Sequence, residues 1–355
     1  MNHSQKKTIA LCFWIQAVGI GIYIAFGVFL TPLEQAFGWP RALVAGASST
    51  AFFVSGLFAV AAGRLNDRAG PGTIMAVTGF LFGAGLVLVS RVQSPWQLYL
   101  FFGLVFGAGL SSVDVIALTT IARWFPHRRG AVTRVVKVGT GTGQFFFPFA
   151  ASLLISGLGW RNAFVILGVF AFAALTATGL GLKRDPGRGS VPSAGSGRTP
   201  PRENGLSFGR ALCSRSLWLV CTVNFIIVSC LMSTLVHVVP FGRDLGIEFH
   251  RAASVLSMIG GVSMAGRFGA GLVVDRAGSR GTMRLALAVM AVSMAWLQYC
   301  SSLTDLYLFA VVYGLAHGGI FTAISPLVAE VFGTLNHGAI FGLVVFSGTP
   351  GGAVG

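Results

Sequence analysis

The feature that most constrains this chain is a repeated octapeptide. Gly63-Arg-Leu-Asn-Asp-Arg-Ala-Gly70 is echoed by Gly271-Leu-Val-Val-Asp-Arg-Ala-Gly278, with five of eight positions identical and an offset of 208 residues. The same offset relates Leu98-Tyr-Leu-Phe101 to Leu306-Tyr-Leu-Phe309, and Arg129-Gly-Ala131 to His337-Gly-Ala339. Three matches in one register point to a duplicated architecture, which limits the available folds before any helix is counted. Each octapeptide lies between two long apolar runs, so it reads as a tight loop between membrane spans.

Composition agrees. Of the 355 residues, 54% are hydrophobic and only 10% charged, where a soluble domain carries about 25% charged residues. The 49 glycines suit helices whose backbones approach closely in lipid. The net charge of +15 is not gathered into a nucleic-acid patch. The basic residues sit in short loops between apolar runs, the distribution that sets membrane topology. Cys12, Cys213, Cys221, Cys230 and Cys300 are scattered without metal-ligand spacing, so neither disulfides nor a metal are expected. The polar start, Met1 to Lys7, leads into an apolar span without a small-residue cleavage site and reads as a retained first helix.

Runs of about 20 apolar residues are long enough to cross a bilayer. The first half offers spans near 9–31, 43–62, 74–91, 97–121, 131–156 and 161–182. The second offers 214–240, 252–273, 283–301, 305–329 and 337–355. Residues 183–213 hold a Pro- and Gly-rich basic linker. The predicted organisation is therefore an N-terminal six-helix bundle over 1–182, a cytoplasmic linker over 183–213, and a C-terminal bundle of five helices over 214–355. With the N-terminus inside, inner segments carry eighteen Lys and Arg and outer segments five, which places both octapeptides and the linker in the cytoplasm. A duplicated six-plus-six arrangement calls for a twelfth helix, and the sequence ends after the eleventh span. Truncation and a shortened copy are both open.

The octapeptides resemble the loop signature of the major facilitator superfamily, Gly-x-Leu-x-Asp-Arg-x-Gly, with Pro71-Gly72 where a basic residue often follows. Phe37-Gly-Trp-Pro-Arg41, Arg123-Trp-Phe-Pro-His-Arg-Arg-Gly130, Gly159-Trp-Arg161 and His237-Val-Val-Pro240 are similar to the monocarboxylate-porter and oxalate–formate branch, including its bacterial relatives. The resemblance implies an all-α membrane protein of two six-helix bundles related by a pseudo-repeat, here ending in helix 11. It also implies a central substrate site worked by alternating access.

Several residues stand out against the apolar spans. Gly63, Arg64, Asp67 and Arg68, echoed by Asp275 and Arg276, suit a gate: a carboxylate there caps a helix N-terminus or pairs with Arg, and the contact breaks during transport. The plainer alternative is ordinary topology-setting charge. Arg267 lies inside the eighth span, eight residues before Asp275, about 12 Å along a helix. An Arg there costs about 3 kcal/mol on insertion scales, so it faces protein or water, or snorkels. Related carriers resemble this chain in an eighth-helix Arg that meets the substrate carboxylate. Lys137 in the fifth span is the second cation. Helices 5 and 8 meet across the halves in this superfamily, which would bring the two together. Asp114, the carboxylate well inside the fourth span, pairs with one of them or takes a proton. His237 titrates near neutral pH and is a proton-transfer or structural residue; His317 is a weaker case. Tyr23, Gln16, Gln144 and Asn224 are candidate cavity residues. The first-span Lys of animal monocarboxylate carriers and the eleventh-span Lys of oxalate–formate carriers have no counterpart here.

These residues point to a secondary transporter of small organic anions, chiefly monocarboxylates, coupled to protons, in a bacterial inner membrane. Its partners are the anion, the proton and the lipid bilayer; no cofactor and no nucleic acid are expected, and the oligomeric state is open, a monomer included. A drug/proton antiporter and a non-transporting membrane protein are the alternatives. The absence of any nucleophile–base pair or metal cluster argues against an enzyme.

Overall fold

The structure, a computed structural model, describes residues 2–126, 128–182 and 205–354. It is helical almost throughout. Among the described residues, eight helical segments are long and apolar enough to cross a membrane, and two of them, Arg129–Gly181 and Ser254–Leu297, contain a reversal. The reversals fall at Gly159 (φ 78°, ψ 159°) and Gly278 (φ 77°, ψ 163°), conformations that side-chain-bearing residues avoid. Dividing the chain there gives α1 (His3–Phe37), α2 (Arg41–Ala69), α3 (Pro71–Val89), α4 (Pro95–Trp124), α5 (129–158) and α6 (160–181). A short helix, Phe208–Leu212, precedes α7 (Arg215–Asp244), α8 (249–277), α9 (279–297), α10 (Leu303–Phe332) and α11 (His337–Val354).

The packing partners prove both reversals. Along α5, Gly139 meets Phe13 and Gly143 meets Ala17, so α5 runs parallel to α1, whereas Gly181 at the end of α6 returns to Leu11. Likewise Gly314 and Gly318 of α10 meet Ile259 and Ser263 of α8 in rising order, while Ser279 at the start of α9 binds Glu330 near the end of α10.

The expected loop at each octapeptide is only one residue long. Helix α2 continues through Ala69, and Gly70 alone (φ 92°, ψ 164°) turns the chain into α3. Gly278 does the same between α8 and α9. Seven residues of the first octapeptide, 63–69, beyond the expected span end are thus helical, because the terminal glycine accepts a backbone conformation closed to other residues and Pro71 opens the next helix.

Of the expected linker, 183–204 lies outside the described residues. Residues 205–212 are ordered: Gly205 bridges Gly333, Leu206 N–H donates to Phe332 O at 2.9 Å, and a helical turn follows. α4 contains a π-helical stretch, Tyr99–Phe106, whose Phe102 stacks on Phe26 at 3.9 Å and on Phe106 at 4.4 Å. Large apolar side chains such as Phe145, Phe149 and Leu180 stay exposed, a surface that a hydrocarbon environment covers without cost.

Two seams join the first six helices to the last five. In the first, α2 runs antiparallel to α11: Gly63 faces Gly338, Ala59 faces Gly342, and Gly56 faces Thr349. In the second, α5 runs antiparallel to α8: Gly130 faces Gly271, and Gly141 faces Met264. An offset of 208 converts Gly63–Gly338 into Gly271–Gly130, so the repeat seen in the sequence exchanges one seam for the other.

Candidate functional site

The linker-side ends of both seams are closed by the octapeptide aspartates. Asp67 is buried at the end of α2. Its carboxylate accepts from the backbone N–H of Gly338 at 3.2 Å and of Ala339 at 3.0 Å, the first amides of α11, and it forms an ion pair with Arg123 of α4. Free amides and the helix dipole both favour a carboxylate at that position. Arg123 also donates to Thr334 O at 3.4 Å, in the turn before α11. At the other seam, Asp275 accepts from Gly130 N–H at 3.1 Å, the first turn of α5. Among the described residues Asp275 has no ion pair, and it is exposed. Arg129-Gly-Ala131 and His337-Gly-Ala339 repeat in register with the octapeptides because each is the helix start that the opposite octapeptide caps.

The neighbouring basic residues lie elsewhere. Arg64 is exposed, with its guanidinium 4.2 Å above the Phe208 ring of the linker helix. Arg68 and Arg276 are exposed. Arg123, which holds Asp67, was legible in the sequence only as a loop charge, since the partner of a buried carboxylate depends on which helices meet.

Deeper along the second seam lies a polar cluster in an apolar surrounding. Lys137 of α5 is 5% exposed. Its ammonium donates to Asp114 Oδ1 of α4 at 2.5 Å and to Gln16 Oε1 of α1 at 3.2 Å. Gln16 Nε2 donates to the same Asp114 oxygen at 2.9 Å and to Val113 O at 3.2 Å, and Thr140 Oγ1 donates to Gln16 Oε1 at 2.7 Å. Gln16 is fully buried and ties three helices together, so it is a central member of the cluster rather than one wall residue among several. Thr140, three residues from Lys137, falls on the same face of α5.

Arg267 approaches from α8. It is 5% exposed, and its Nε and Nη1 are buried without hydrogen-bond partners. Nη1 lies 3.7 Å from the point a Cβ on Gly141 would occupy, so the missing side chain at Gly141 leaves room for the guanidinium on the α5 side of the seam. Asp114 lies within electrostatic reach of Arg267, yet no ion pair joins them among the described residues. The backbone of Arg267 is held by α10: a Cβ on Gly318 would meet Ser263 O at 2.0 Å and Arg267 N at 2.8 Å. One residue from Gly318, His317 lies against Tyr313 and Phe321 with its Nδ1 buried and unpartnered. A buried guanidinium with idle donors costs stability unless something binds it, and a guanidinium offers a carboxylate two parallel hydrogen bonds.

The remaining candidates are dispersed. Tyr23 of α1 accepts from Ser48 at 3.4 Å and stacks on Phe52 of α2. Gln144 is half-buried on α5. Asn224 of α7 is buried and donates to Val344 O of α11 at 2.7 Å, a clamp within the last five helices. His237 is exposed and borders a cleft of about 240 Å³ with Thr234, Phe241, Met294 and Leu297, between α7 and α9. None of that cleft's lining residues belongs to the Lys137–Asp114–Arg267 cluster.

Comparison with known proteins decides the family. The family model described as Major Facilitator Superfamily matches residues 9–355. The chain belongs to the major facilitator superfamily. Within it, the chain is similar to monocarboxylate transporter 12 of Rattus norvegicus, 26% identical over 377 residues that cover 95% of this chain and 75% of the relative. It is similar to monocarboxylate transporter 13 of the same organism at 27% over 346 residues, covering 97% and 78%. The agnestins efflux protein AgnL12 of Paecilomyces divaricatus is 24% identical over 351 residues, covering 97% and 77%. Among solved structures, the human organic anion transporter MFSD10 shares the fold with a TM-score of 0.75 at 16% identity, covering 100% of this chain and 92% of that one. The E. coli fucose:proton symporter FucP gives 0.75 at 15%, covering 99% and 91%. This facilitator is thus a multi-pass membrane protein in which the two capped seams and the cluster occupy the interface between its halves.

Proposed function

We propose that this protein is a secondary active transporter that moves small organic anions, chiefly monocarboxylates, together with protons by alternating access. The observation that carries the reading is Arg267, a buried guanidinium with two unpartnered nitrogens at the seam between the halves. In this reading Arg267 grips the carboxylate, Lys137 borders the site, and Asp114 is the charge partner that keeps Lys137 tolerable in an apolar surrounding. Tyr23 and Gln144 line the path. The capped seams, with Gly63, Arg64, Asp67, Arg68, Asp275 and Arg276, form the gate that parts when the site opens toward the linker side. Residues 1–182 and 214–355 move as two bodies joined by 183–213. The excess of basic residues on the linker side supports a cytoplasmic linker in a bacterial inner membrane. The relatives named monocarboxylate transporters support the substrate class.

The test is uptake of labelled monocarboxylates into proteoliposomes with and without an inward proton gradient. Uptake that responds to the gradient in wild type and vanishes in Arg267→Ala supports the reading; a wild-type rate in Arg267→Ala sinks it. The similarity to an efflux protein supports export of larger organic molecules as a second reading. Resistance conferred on an efflux-deficient host, with no carboxylate uptake, would favour it.

A further inference from the structure

Asp114 and Lys137 are not equally open to a ligand. The Lys137 side chain is 7% exposed and that of Asp114 33%. Lys137 already has Asp114 and Gln16 as acceptors, and the single Asp114 oxygen Oδ1 receives both Lys137 and Gln16. Arg267, by contrast, keeps two idle nitrogens. Within the Lys137–Asp114–Arg267 cluster an arriving anion therefore meets one available cation, and beside it a carboxylate rather than an ammonium. Arg134 also keeps a buried, unpartnered Nε and Nη1, but it sits nearer the linker, against Gly271, with its guanidinium 4.5 Å over the Phe268 ring, and has no hydrogen bond to the cluster among the described residues.

We propose that Asp114 sets the charge number of the transported anion: by cancelling Lys137 it leaves one uncompensated cation in the cluster, Arg267, and so selects monoanions over dianions. The proposal rests on the organic-anion reading above. A monoanion brings the cluster to neutrality. A dianion places its second carboxylate beside Asp114, where like charges repel in a water-poor setting, and leaves the cluster net negative. Discrimination then comes from a repulsive element built into the site rather than from a tighter pocket.

The probes are malonate and its monomethyl ester, which share a skeleton and differ by one charge at pH 7.5. Binding to the purified full chain is measured by calorimetry, and each probe is tested as a competitor of uptake. In wild type the ester binds at least tenfold tighter than malonate. Asp114→Asn frees Lys137 and moves the ratio of the two affinities at least tenfold toward malonate. The double variant Asp114→Asn/Lys137→Gln restores one net positive charge and returns the ratio to the side of the ester. That return separates charge counting from a packing role, and it is readable even if Asp114→Asn alone is too unstable to purify. Equal changes in both affinities, or an unmoved ratio in the double variant relative to Asp114→Asn, overturn the proposal while leaving the anion reading intact. A double variant that favours malonate overturns it as well. If neither probe binds wild type and Arg267→Ala behaves identically, the anion reading falls, and the charge-number proposal with it.

Discussion

A Cβ on Gly63 would lie 2.0 Å from the carbonyl oxygen of Gly338. The obstacle is backbone, so no side chain can swing aside to admit a larger residue. The seam between α2 and α11 therefore closes only because both positions lack side chains. Gly63→Val should hold the seam apart. The expected outcome is faster thiol labelling of a cysteine placed at Ala339, which is 1% exposed, and uptake reduced at least tenfold with helical circular dichroism unchanged.

The two octapeptide aspartates should differ in their effect on stability. Removing one partner of a buried ion pair costs about 3–5 kcal/mol, and Asp67 and Arg123 are such a pair. Loss of a helix cap at an exposed position costs about 1 kcal/mol, which describes Asp275 and Gly130. Thermal unfolding in detergent should show a much larger fall in Tm for Asp67→Ala than for Asp275→Ala. Equal falls would mean that the Arg123 pair adds nothing to the cap.

Arg267 should behave as a residue kept for binding at the expense of stability. Its idle buried donors are a liability in the empty protein. Arg267→Met keeps the length of the stem and removes the donors. Differential scanning fluorimetry should show a Tm equal to or above that of wild type, while carboxylate uptake is lost. A lower Tm together with normal uptake would assign Arg267 to the fold instead.

Asn224 should act in the opposite sense. Its amide donates to Val344 O across α7 and α11, and an unsatisfied buried group costs about 1–3 kcal/mol. Asn224→Leu should lower Tm and leave the KM for a transported carboxylate within twofold of wild type. A large rise in KM would instead place Asn224 in contact with the ligand.

How much of this could be read beforehand depended on the physics of each residue. The repeat was legible because identical residues recur at one offset, and the family follows from it. Arg267, Lys137 and Asp114 were legible because a charge in an apolar span has few tolerable surroundings. Arg123 was not, since a basic residue near a span end has an ordinary topological explanation. Tyr23, Asn224 and His237 could not be placed because helices that are apolar all round carry no stripe showing which face looks inward. The extent of α2 was hidden for a related reason: Arg64, Asn66, Asp67 and Arg68 read as loop, and only Gly70 shows where the helix stops.

The unequal capping of the two seams gives the molecule a grain. The cap of the α2–α11 seam is a buried carboxylate that takes two amides and is backed by Arg123, whereas the cap of the α5–α8 seam is one exposed carboxylate on one amide, with Arg134 over Phe268 as a further contact. The second cap is the lighter of the two. Lys137 and Arg267 lie along that second seam, so the buried polar cluster borders the more lightly clasped of the two edges.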